Sequence, residues 1–67
     1  MVTSYRLYYL GKGGQLRSGA DFNAASDQAA IREAVRLCAG RPGELWSGGR
    51  RLGEISQLGT FTGHPEN

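Results

Sequence analysis

Few side chains in this sequence are suited to covalent or acid–base chemistry, and their spacing argues against most of them. The single cysteine, Cys38, falls on the apolar side of the one long helical segment, near its C-terminal end, where the helix dipole disfavours a thiolate. It reads as a small core residue. The single histidine, His64, stands in the polar C-terminal stretch, so a dyad built on it would need that stretch to dock in one fixed place. Ser4, Ser18, Ser26 and Ser47 have no base at a recognisable spacing, and the six carboxylates show no pairing of the acid–base kind. Lys12 within Gly11-Lys-Gly-Gly14 suggests a phosphate cradle, but a P-loop requires G-x-x-x-x-G-K-[ST] running into a helix, and these glycines join two strands. A hairpin turn accounts for them better. Arg50 and Arg51 beside Gly48-Gly49 likewise read as a solvated hairpin tip. No catalytic residue, cofactor or metal ligand is expected, and the chain reads as a non-enzyme.

Recognition is the chemistry left over. Arg6 and Tyr8, Glu44 and Trp46, with Arg17, Asp21 and Arg51 around them, fall on strands at alternate positions that place them on one side of a sheet. Tyr, Trp and Arg combine large contact area with a polar group, which is why they concentrate in binding hot spots. The competing account is local: the Arg51 stem covers Trp46 in a cation–π contact, and Arg6 pairs with Asp21 or Glu44.

The element that must position these residues is the helix over residues 26–40. Ser26 is a good N-cap, Asp27 suits the positive helix end, Gly40 can take the left-handed stop, and Pro42 prevents a restart. Ala30, Ile31, Ala34, Leu37 and Cys38 share one face at 100° per residue, opposite Arg32, Glu33 and Arg36. Before the helix, residues 5–10 and 16–22 read as strands joined by a turn at Gly13-Gly14. That turn pairs Tyr9 with Ser18, Leu7 with Ala20 and Tyr5 with Phe22 on the core side, and Arg6 with Asp21 and Tyr8 with Gly19 on the other.

After the helix, residues 44–46 and 51–55 form a second hairpin about Gly48-Gly49. Leu45 is then opposite Leu52 in the core, with Trp46 opposite Arg51 and Glu44 opposite Gly53 outside. Hairpin, helix, hairpin gives an α+β domain of ββαββ type. A right-handed crossover yields a four-stranded antiparallel sheet of order 2-1-3-4, with the helix packed on one face. Residues 1–55 make the single domain, and residues 56–67 a polar, flexible C-terminal tail in which only Leu58 and Phe61 could anchor.

Composition limits the rest. With 67 residues the core is small, and one cysteine permits no internal disulfide, which favours a reducing compartment and, with no apolar leader at the N-terminus, a cytoplasmic location away from any membrane. Oligomerisation would relieve the small core. A net charge of +2 is a weak basic signal, because six acidic residues are interspersed with eight basic ones.

The segments Tyr5-Arg-Leu-Tyr-Tyr-Leu10, Phe22 ahead of a capped alanine-rich helix, and Glu44-Leu-Trp-Ser-Gly-Gly-Arg50 also follow one another in a familiar order. Over about the first 55 residues the chain resembles small proteobacterial proteins of unknown function that read Y-R-x-Y-x-L-D-x-x-G, an alanine-rich helix and E-L-W-x-G-x-R. Gly11 replaces their acidic residue at the first turn, and this chain's tail is longer. The resemblance implies a free-standing domain and no particular activity. Together these readings predict a protein–protein interaction module that uses Arg6, Tyr8, Arg17, Glu44, Trp46 and Arg51, with a second copy or another protein as its partner. Nucleic-acid binding by the same aromatic and arginine face is the alternative.

Overall fold

Strand alternation and one amphipathic helix generate the whole architecture. The structure is a computed structural model that describes residues 2–11, 13 and 15–63, the side chains of Leu16 and Arg17 excepted. The expectations for Lys12, the Gly13-Gly14 turn and His64 therefore lie outside the described residues, as does the side chain of Arg17. The elements follow as β1 (Thr3–Leu10), β2 (Leu16–Ala24), α1 (Asp27–Cys38), β3 (Gly43–Ser47), β4 (Arg50–Ile55) and β5 (Phe61–Gly63). They form one antiparallel sheet of order β2-β1-β3-β4-β5 with the helix on one face. The α+β class, the single helix and the order 2-1-3-4 agree with the sequence.

The strand count does not agree. A fifth strand, drawn from the stretch expected to be a tail, pairs along β4, with Ile55 opposite Phe61 and Gly53 opposite Gly63. Phe61 packs against the core, whereas Leu58 is 88% exposed. The return is held by the Ser56 hydroxyl, which accepts from the Leu58 and Thr60 amides at 3.2 Å each, and by the Ser56 amide donating to the Thr60 carbonyl. Two apolar residues among polar ones gave no period from which to read a strand.

Helix α1 starts where its cap requires: the Ser26 hydroxyl accepts from the Ala29 amide at 3.1 Å. It ends one residue before the expected glycine, with Ala39 itself left-handed at φ 49° and Gly40 following at φ 87°. Ala30, Ala34 and Cys38 are fully buried beneath it against Tyr5, Leu7, Leu45, Leu52 and Ile55. Three small residues along that stripe let the helix lie close to the sheet, which is what so short a chain needs to exclude water.

Every predicted β1–β2 pair from Tyr5–Phe22 to Tyr9–Ser18 is present. Beyond Tyr9 the register skips Arg17: Leu10 faces Leu16, and the Gly11 amide donates to the Gln15 carbonyl at 2.7 Å. In the second hairpin Trp46 faces Arg51 as expected, but Leu45 faces Gly53 and Glu44 faces Glu54, because a β-bulge falls between them. The cause is the β4 sequence. Strict alternation from Leu52 would bury Glu54 and expose Ile55, whereas one extra residue turns Glu54 outward and leaves Ile55 1% exposed.

The helix is tied to the sheet by a polar latch at its first turn. The Tyr5 hydroxyl, on a residue only 3% exposed, donates to Asp27 Oδ1 at 2.7 Å, and Arg50 reaches Asp27 Oδ2 at 3.3 Å. The Tyr5 hydrogen bond, ahead of Arg50, holds the Asp27 carboxyl below the usual range, while partial burial opposes it. Arg6 lowers the Asp21 carboxyl and Arg36 that of Glu33 in the same way. A depressed folded-state pKa means stability that is present above the unfolded value, about 4, and is lost as pH falls through the folded one. Stability is therefore expected to fall below about pH 4, and Tyr5→Phe should both destabilise the protein and flatten that acid limb in urea melts taken across pH. An unchanged limb would remove Asp27 from the account.

Candidate interaction surface

The face of the sheet turned away from α1 is built in two rows. Asp21, Arg6, Trp46 and Arg51 are successive neighbours across β2, β1, β3 and β4; Gly19, Tyr8, Glu44, Glu54 and Thr62 form the next row, reaching β5. The split between Leu45 (0% exposed, beneath the helix) and half-buried Trp46 follows from alternation alone.

At the centre the Trp46 and Tyr8 rings meet edge to face, with centroids 6.3 Å apart and planes at 90°. That arrangement places the positive edge of one ring on the negative face of the other. The Arg6 guanidinium lies 5.7 Å from the Tyr8 centroid and forks onto Asp21 at 2.6 and 2.8 Å. Tyr8 is also held from below. A Cβ on Gly19 would stand 3.5 Å from Tyr8 Cδ1 and 3.3 Å from the Leu7 carbonyl, so the ring lies across a bare stretch of β2. Among the described residues the cation–π contact on this face is Arg6 on Tyr8, not Arg51 on Trp46.

Glu44 organises the other half. Its Oε1 accepts from the Trp46 indole N–H at 3.1 Å and its Oε2 faces Arg51 at 3.4 Å, while Arg51 also pairs with Glu54. Burial deepens the pairing, since the Arg51 and Glu44 side chains are only 26% and 20% exposed. The indole N–H is consequently occupied, and what the face offers outward is ring surface and carboxylate rim. Between the rings and β2 lies a shallow concavity of about 340 Å³ lined by Ser4, Tyr5, Arg6, Tyr8, Asp21, Trp46 and Gly48.

Five of the six expected residues, Arg6, Tyr8, Glu44, Trp46 and Arg51, converge on this face; the sixth, Arg17, has a described backbone position in β2 only. Glu54 belongs to the face and was not foreseen, because only the bulge turns it outward. Among the described residues, no helix is long and apolar enough to cross a membrane. No family model matches the chain, and neither a curated protein nor a solved structure does.

Proposed function

We propose that this chain is a non-enzymatic protein–protein interaction module whose contact surface is the outer sheet face around Tyr8 and Trp46, with a second copy or another protein as its partner. The supporting observation is the edge-to-face aromatic pair on a sheet face that α1 does not cover. Such a pair gains from being buried by a partner, and its rings are already oriented, so little side-chain entropy is lost on contact.

Nucleic-acid binding is the weaker reading. Both described guanidinium groups of the face, Arg6 and Arg51, are engaged by the carboxylates Asp21, Glu44 and Glu54. A phosphate would have to displace those carboxylates and meet their repulsion. Light scattering at micromolar concentration on wild type and on Trp46→Ala tests the homodimeric form: a dimer that dissociates in the variant supports it, and a monomer in both sinks it. Filter binding of single-stranded nucleic acid at low and moderate salt tests the alternative, which requires retention that falls steeply with salt.

A further inference from the structure

The two edges of the sheet are built very differently. β5, at one side, is three residues long and polar apart from Phe61. β2, at the other, has nine residues without proline or lysine, and its guards are two single charges, Arg17 and Asp21, and one bulge at Arg17. Ser18, Gly19, Asp21 and Asn23 along it are exposed. Such a strand is a template for another strand, and its sequence says which one.

From Leu16 to Phe22 the residues read apolar, basic, small, glycine, small, acidic, apolar. The order is its own complement about Gly19. We propose that two copies of this chain pair through β2, antiparallel and about a two-fold axis at Gly19, joining two five-stranded sheets into one continuous sheet. In that register Arg17 of each copy is opposite Asp21 of the other and Ser18 is opposite Ala20, while Leu16 lies beyond the bulge that skips Arg17 and is left out of the pairing. Opposite charges therefore stand at directly paired positions. Shifting the axis to Asp21 would set two carboxylates face to face, so charge selects the first register over this one.

The free chain suits this arrangement. Asp21 is bound by Arg6 yet 69% exposed, and a carboxylate has acceptor capacity for a second cation. The β1–β2 register skips Arg17, so its position is not committed to an opposite residue on β1. An isologous pairing through the one long edge also closes after two copies. The inference differs from the outer-face reading in running along the strand edge rather than over the Tyr8–Trp46 rings, although Asp21 also stands in the outer row beside Arg6.

Charge reversal in each copy tests it. Arg17→Asp alone and Asp21→Arg alone put like charges opposite one another at both symmetric positions, and each should weaken self-association by roughly tenfold or more. An equimolar mixture of the two variants restores both attractive pairs and should recover the dimer in analytical ultracentrifugation. In wild type, β2 amides facing the edge should gain hydrogen-exchange protection as concentration rises, a readout that needs no variant to fold. A wild-type monomer without concentration-dependent protection overturns the proposal. So does a dimer indifferent to both reversals, or a mixture that stays monomeric. A dimer lost in Trp46→Ala but kept in the reversals assigns association to the outer face instead.

Discussion

Leu45→Ala should cost about 3 kcal/mol of folding stability, and Trp46→Ala, one residue along, only about 1. A chain of this length has on the order of 3–10 kcal/mol in all, so the first change removes about a third of it or more. The asymmetry follows from the two faces. Leu45 has no exposed surface and belongs to the core cluster with Leu7, Ile55 and the alanines of α1, so its loss leaves a cavity in the core. Trp46 is half-buried and loses one aromatic contact and one hydrogen bond, to Glu44, whose carboxylate keeps Arg51 as a partner. Urea denaturation of the two variants decides the matter: a larger loss in Trp46→Ala than in Leu45→Ala would mean that the faces are assigned the wrong way round, and the interaction surface would go with them.

How far the sequence could be read depended on whether each feature was local. The Ser26 cap, the apolar face of α1 and the β1–β2 pairs from Tyr5 to Tyr9 each rest on a period or a spacing inside one segment, and all are present. The β3–β4 register was missed beyond Trp46 because an exact period of two cannot accommodate both Leu52 and Ile55 in the core while leaving Glu54 outside; only a bulge can. The signal was there in Glu54, a carboxylate at a position that unbroken alternation would bury. β5 was missed for a different reason: a three-residue strand with one large apolar side chain is stabilised by what it docks on, and that surface exists only after β4 has bulged. On the outer face the residue types were legible but not their partners, since Arg6, Glu44 and Arg51 each had more than one carboxylate or cation within reach of the register.

Gly53 is where the bulge and β5 meet, and Gly53→Ala should detach the fifth strand. An added Cβ would lie 2.3 Å from the Thr62 carbonyl oxygen, 2.7 Å from Phe61 Cζ and 2.9 Å from Gly63 Cα. Two of those atoms are backbone, so no rotamer change relieves the contact, and β5 is the piece with least to hold it. Detachment gives up the three β4–β5 pairs and the burial of Phe61, a loss of about 1–3 kcal/mol that leaves β1–β4 and α1 intact. Exchange protection should then vanish over residues 61–63 and persist in β1 and β3. Full protection over those residues would show that β5 does not pass so close to Gly53. The larger consequence concerns assembly. With β5 in place only β2 offers a long edge, and pairing stops at two copies; with β5 gone, β4 becomes a second open edge of six residues carrying Leu52 and Ile55. A subunit with two open edges can add partners at both, so Gly53→Ala should turn a closed dimer into open-ended oligomers that grow with concentration, visible as rising light scattering. Arg17→Asp introduced into the same chain should cut that growth back, since every β2-to-β2 joint in the array would then oppose like charges.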